Sequence, residues 1–543
     1  MTQPPEGENE VSVVGLDKSE LPAVDPVGAA RTRLEKDLGV TFLQWVLGEP
    51  DDELTASQVD VLTLLHQVRS MHEDVPSGLP RHLMIAQLTG YNAAAAMATL
   101  NALRLHANGD LPEQPSATDD EVLDALHRLA IDVYGELLLA GNDTLGALTS
   151  PYTSQAGSAV VAAVRKDPEL PFGDDQEEDS AIDVARSTGS AGTLQLSAVG
   201  TSIILAAWEL ASTDQPVPTV HELLNRLPEV LQSSRDAWSR KPAETLGLAS
   251  LTGALLPQGC EISLSWGRLR PARDSDHPES LRGALADRKT VSTSEDGTQV
   301  VISDAGDIVV EVRAPLEIRR RDGESPALPS WVRLGPDELE RRIAQVRLAH
   351  LLAAADGRRR VLLPVWRRFI EPLTQGRGWA YSDPGQFAMR TPEQLTQAEA
   401  DAWREWIQRL DSVDLSKLGV APQRLLRAVG ERRDSYDTLI DAVIAWEALF
   451  ASNTEATLRV AGSVARLLKK AGDERVALRS HAAEIYNLRS QVVHGGDADA
   501  VRVSQASTDA IDLAVSVLRV LVEKRPDLIP LKGADRSTAL LME

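Results

Sequence analysis

"DSYDTLIDAVIAWEALF", residues 434–450, places Leu439, Val443, Trp446 and Phe450 on one stripe of a helix, with Ile440 and Ile444 beside it. So wide an apolar face is stable only against other helices, and the flanking sequence supplies them. "PQRLLRAVGERRD" (422–434) reads as a short amphipathic helix. "NTEATLRVAGSVARLLKKAG" (453–472) opens with Asn453 or Thr454 as N-cap and ends on Gly472. "DERVALRSHAAEIYNLRSQVVHGG" (473–496) runs from an acidic start to two glycines, and "SQASTDAIDLAVSVLRVLVEKRPD" (504–527) is stopped by Pro526. A compact helical bundle is therefore expected at the C-terminal end.

The chain has 543 residues, enough for about three domains, with 43% hydrophobic and 25% charged residues, as in folded proteins. Aromatics are scarce at 4%, and the abundance of Ala and Leu favours helices. The formal charge of −24 repels nucleic acid and anionic membranes, so a polyanion needs a local basic patch. A single cysteine, Cys260, excludes an internal disulfide and any CxxC metal pair. The first residues lack the basic and apolar regions of a signal peptide, and a cytoplasmic location is expected. Residues 187–208 are uncharged but rich in Ser, Thr and Gly, which predicts a buried helix rather than a membrane span. No GxxxxGK[ST] loop, HExxH pair or Rossmann glycine fingerprint is present, the histidines outside the C-terminal module are scattered, and no cofactor or metal is expected.

Working outward, the fold class is mainly α: a multidomain helical protein with a small β-containing central region. Residues 1–26 read as a disordered acidic tail and 27–256 as an all-helical domain, with Thr55 as one N-cap. Alternating β-branched residues in "CEISLSWGRLRP", "TQVVISDAG" and "DIVVEVRAPLEIRRR" predict a small β-rich segment over 257–335. Residues 336–418 read as a helical connecting region, 419–530 as the bundle and 531–543 as a tail.

Two charge features stand out. Residues 341–378 hold nine arginines against Asp356 and Glu371, a local +7. Arg358, Arg359, Arg360, Arg367 and Arg368 could face RNA there, or the arginines could pair with carboxylates of acidic helices. Glu447, embedded in "AVIAWEALF", needs a cation or an exit to solvent, because an unpaired buried charge is very costly. Arg459, Arg466 and Arg489 are the available partners, and an ion pair with Arg459 is expected.

The succession "RRDSYDTLIDAVIAWEALF", "TEATLRVAGSVARLL" and "YNLRSQVVHGG" resembles the Apea-like branch of the HEPN domains, over about residues 420–525. These are small helical modules with an R-x(4–6)-H motif, matched here by Arg489 and His494. Asp437, Asp441, Glu447, Glu455, Arg459, Tyr486, Ser490 and Gly495 stand where that branch shows similar residues. The resemblance implies a metal-independent endoribonuclease or RNA-directed effector of a bacterial defence or toxin-like system. It also implies a homodimer through the C-terminal bundle, because the motifs of such domains usually meet across a dimer. Other HEPN domains serve only as non-catalytic interaction, dimerisation or nucleotide-binding modules. Ser490 follows the motif arginine where nuclease members commonly carry Asn, Asp or His.

The chemistry suits the residues. Histidine can move a 2′-hydroxyl proton near neutral pH, and arginine offers a permanent charge and a donor fork matched to phosphate. Arg489 and His494 would be the catalytic pair, with Ser490 and Tyr486 orienting substrate or His494. On a regular helix residues five apart are rotated by about 140° and displaced by roughly 7.5 Å, so the two cannot converge unless the helix ends first. Gly495 and Gly496 suit such an ending. Arg and His near a helix end are also ordinary partners for its free carbonyls, and that plainer reading stands beside the catalytic one.

Overall fold

The computed structural model describes residues 26–48, 53–71, 87–92, 97–140, 154–173, 180–273, 276, 291–293, 299–301, 306–321, 328–354, 361–374, 379–381, 392–451 and 455–543. The tail expected over 1–26, apart from Pro26, lies outside these residues, as do Arg358, Arg359, Arg360 and the expected caps Asn453 and Thr454. The described chain is mainly α, with 16 α-helices, and divides into two compact units: Met1–Ala117 with His127–Ser158, and Thr118–Leu126 with Ala159–Glu543.

The first unit contains α1 (Pro26–Leu38), α2 (Val40–Val46), α3 (Ala56–Ser70) and α4 (Thr99–His106), and takes α5 (Glu121–Ala140) from His127 onward. A short antiparallel ladder joins β1 (Tyr91–Asn92) to β2 (Met97–Ala98). Thr55 caps α3 as expected, in a reciprocal box with Gln58. Gly135 lets α5 approach α2, since a Cβ there would lie 2.4 Å from the Trp45 ring.

The second unit takes α6 (Gln155–Lys166) from Ala159 onward, and this helix is followed by a hairpin of β3 (Ala181–Arg186) and β4 (Ala191–Gln195). The uncharged stretch 187–208 is thus hairpin first, and only α7 (Val199–Ser212) is the expected buried helix. Ile182 and Val184 are buried on alternate positions and Gly189 turns the chain at φ 95°, which overrides the helical reading. After α8 (Val220–Trp238) comes β5 (Glu244–Thr252), a further correction to an all-helical 27–256, which the β1–β2 ladder also breaks.

β5 is an inner strand of a six-stranded antiparallel sheet. Its spatial order is β14 (Trp379–Tyr381), β13 (Leu363–Phe369), β5, β11 (Ile308–Pro315), β8 (Gly267–Pro271) and β7 (Ile262–Leu264). The strands expected in 257–335 are present, but β5 and β13 come from segments read as helical. β5 is buried without a break from Gly247 to Leu251, so it loses the polar alternation that marks a half-exposed strand, and β13 carries Pro364 and two adjacent arginines, which obscure a strand pattern. Pro364 sits where the β13–β5 register shifts, a place where its missing N–H does not interrupt the ladder. Smaller ladders pair β12 (Ile318–Arg320) with β3, β9 (Val291–Thr293) with β10 (Gln299–Val301), and β6 (Ala254–Leu255) with β15 (Glu393–Gln394).

Between sheet and bundle run α9 (Leu334–Ala353) and α10 (Gln397–Asp411), and the Trp403 indole N–H donates to the Val346 carbonyl at 3.0 Å. One continuous hydrophobic core extends from Ala249, Ile308 and Val310 of the sheet, through Val346 and Leu351, to Trp446, Val464 and Val517. The bundle consists of α11 (Ala421–Leu426, prolonged by a π-turn to Glu431), α12 (Ser435–Phe450), α13 (Ala456–Leu468), α14 (Asp473–Val493), α15 (Ala500–Glu523) and α16 (Gly533–Met542). The predicted stripe Leu439, Val443, Trp446 and Phe450 is fully buried. The expected tail 531–543 is instead largely α16, a helix of the bundle: Arg536 and Leu540 are buried, and Arg536 donates to the Leu449, Leu528, Ile529 and Leu531 carbonyls.

Candidate functional site

The end of α14 is built by its glycines. Gly495 adopts φ 73°, its N–H donates to the Val492 carbonyl at 3.2 Å, and the Gly496 N–H reaches the Gln491 carbonyl at 2.9 Å. These are the two bonds of a Schellman termination, which satisfies carbonyls that a helix end otherwise leaves open. His494 is the C-cap residue at φ −88° and ψ 11°, outside the helical conformation, and its side chain is exposed. Ser490 is half-buried and takes part in this ending through its carbonyl, which accepts the His494 N–H at 3.1 Å.

Arg489 lies one turn inside the helix and faces α12. Its Nη2 is 3.3 Å from Glu447 Oε2, and the Tyr486 hydroxyl donates to Glu447 Oε1 at 2.7 Å. Tyr486 and Arg489 are three residues apart and share a helix face, so one carboxylate serves both. Burial, the hydrogen bond to Glu447 and that carboxylate's charge push the Tyr486 phenol up to about 12. Glu447 and Arg489 remain 24% and 19% exposed, so the pair sits in a crevice that solvent reaches. The Arg489 Nε–H, in contrast, is buried without a hydrogen-bond partner among the described residues. No hydrogen bond joins Arg489 to His494 within the chain.

The expected Glu447–Arg459 pair does not form. Arg459 donates to Ser537 Oγ at 3.2 Å and Thr538 Oγ1 at 3.0 Å, because α13 presents it to α16 whereas Glu447 faces α14. Of the three arginines the sequence offered, Arg489 is the partner. Tyr486, expected to orient substrate or His494, is committed to Glu447.

The arginine-rich run is spent internally where it is described. Arg341 and Arg342 hold Glu338, Arg342 also holds Asp411 at 2.5 Å, and Arg347 holds Glu431 at 2.8 Å. Arg367 pairs with Glu340 and Arg368 with Glu209. Arg368 and Glu209 are each 7% exposed, which removes Arg368 from any RNA-facing surface; Arg367 is half-exposed on β13. β13 turns alternate residues inward, and in an acidic protein an inward arginine is matched by a buried carboxylate.

Further charges reach the interior without having been anticipated. Asp441 is 1% exposed and accepts Arg424 at 2.5 Å and Arg432 at 2.6 Å. Arg270, fully buried, binds Glu311 and Asp276, both at 2.6 Å. The signal for Glu311 was available: like Glu447 it is a carboxylate in an apolar run, "DIVVEVRAPL". Among the described residues no group of three or more His, Cys, Asp and Glu side chains is placed to hold a metal, and no helix is long and apolar enough to cross a membrane. Compared with known proteins, the chain matches no family model, no curated protein and no solved structure.

Proposed function

We propose that the C-terminal bundle is a HEPN-type, RNA-directed module that cleaves RNA without metal, with Arg489 and His494 as the catalytic pair. The observation that carries this reading is the helix ending at Gly495: it leaves His494 exposed and non-helical, next to a turn that holds a guanidinium with unused donors. Arg489 makes one contact with Glu447, from Nη2 at 3.3 Å, and a phosphate oxygen can take the remaining N–H groups of the two Nη atoms. His494 would remove the 2′-hydroxyl proton as the 2′-oxygen bonds to phosphorus. The bond to the 5′-oxygen then breaks, and that oxygen takes a proton from water or from His494 of a second copy. A homodimer through the bundle, a cytoplasmic setting and a role in defence or toxin-like systems belong to the same proposal.

A second reading is favoured by Glu447 and Tyr486, whose bonds give Arg489 a structural role: a non-catalytic interaction, dimerisation or nucleotide-binding module. The two separate on incubating the purified protein with structured and single-stranded RNA in EDTA, beside Arg489→Ala and His494→Ala. Cyclic-phosphate ends that both substitutions abolish support cleavage. RNA left intact by a folded wild-type protein, or cut equally by both variants, overturns it.

A further inference from the structure

A cleft of about 620 Å³ opens between α7, α8 and the face of the six-stranded sheet, far in sequence from the motif at the end of α14. Its volume lies within the ~300–1,000 Å³ range of small-molecule sites. Leu210, Val230, Leu246, Leu264 and Ile370 form an apolar lining. Most of its charges neutralise one another. Arg226 donates to Asp214 at 2.5 Å and to Glu229 at 2.9 Å, and Arg268 binds Asp214 at 3.0 Å and Glu311 at 2.6 Å.

Two lining charges are left over. Arg313 on β11 and Glu244 on β5 are both exposed, and neither has an ion-pair partner within 4.0 Å among the described residues. Their placement follows from strand register. Arg313 stands opposite Leu246, and Glu244 is two residues before Leu246, so both project from the same face as diagonal neighbours. The cleft therefore presents one free cation and one free anion side by side, over an apolar floor.

We propose that this cleft binds a zwitterionic amino acid with an apolar side chain. Arg313 takes the carboxylate, Glu244 takes the ammonium, and the side chain packs on Leu210, Val230 and Leu246. A simple anion would leave Glu244 facing it, and a simple cation would meet Arg313; only a ligand carrying both charges satisfies both.

Isothermal titration calorimetry with L-leucine and L-phenylalanine, beside the N-acetyl and amide derivative of each, tests the proposal. The free amino acids are expected to bind saturably, and blocking either charged end to weaken binding by about tenfold or more. In Arg313→Gln the amide and the free acid should bind alike; in Glu244→Gln the N-acetyl compound and the free amine should. Both side chains are exposed, and unchanged circular dichroism establishes that the variants fold. Absence of saturation with every free amino acid at millimolar concentration overturns the proposal. So does a blocked derivative that binds as well as its parent.

Discussion

Arg536 offers the sharpest test of how the C-terminal bundle is held together. It is fully buried, with its Nε–H donating to the Leu528 carbonyl at 2.9 Å, Nη1 to Leu449 at 2.8 Å, and Nη2 to Ile529 at 3.0 Å and Leu531 at 2.8 Å. Its described partners are all backbone carbonyls, one of them in the last turn of α12, so a single side chain ties α16 and residues 528–531 to that helix. Burial pushes the guanidinium pKa down, yet an arginine stays charged throughout the accessible pH range. Arg536→Met keeps length and apolar volume but removes every donor. A fifth bond runs from Nη2 to the Lys417 carbonyl at 3.3 Å. At ~1 kcal/mol net for each of five lost bonds the cost is about 5 kcal/mol, the same size as removing one partner from a buried charge pair. For a unit this large each kcal/mol lowers Tm by roughly 2 °C, so a fall of about 10 °C is expected by differential scanning calorimetry. Arg536→Lys, with three donors on a compact ammonium, should recover part of the loss. A methionine variant within ~1 kcal/mol of wild type would refute the argument that these carbonyls depend on Arg536.

Two further outcomes concern the candidate site. Gly495→Ala places a Cβ at φ 73° and should cost about 1–2 kcal/mol although the space around it is open; faster amide exchange at residues 495 and 496 is the readout. The Tyr486 phenol, raised to about 12, should titrate later than an ordinary tyrosine in the 295 nm difference between wild type and Tyr486→Phe, and Glu447→Gln should bring it back toward 10. Because the folded value lies above the unfolded one, the stability from the Tyr486–Glu447 bond is intact below about pH 10 and is lost as pH rises toward 12. A phenol whose titration Glu447→Gln leaves unchanged would remove the hydrogen bond from the account, because burial alone also raises it.

The sequence by itself determined what local periodicity and capping encode. The buried stripe of α12, the Thr55 cap of α3 and the glycine ending of α14 follow from residue types at fixed spacings, and each forms where it was read. Glu447 was legible as a carboxylate that needs a cation, since the cost of leaving it unpaired is a property of its own neighbours. Which cation answers it was not legible. Arg459 and Arg489 are equivalent in sequence, and only the packing of α13 on α16 and α14 on α12 directs one away and the other inward. The same limit hid β5 and β13, inner strands whose sequences carry no clear strand pattern until neighbouring strands fix their hydrogen bonds. It also hid the burial of Arg368 and Arg536, because a charge enters the interior only where distant carboxylates or carbonyls arrive to receive it. The cleft beside Arg313 and Glu244 is tertiary in the same sense: register alone sets those two charges on one face, and no single segment carries both.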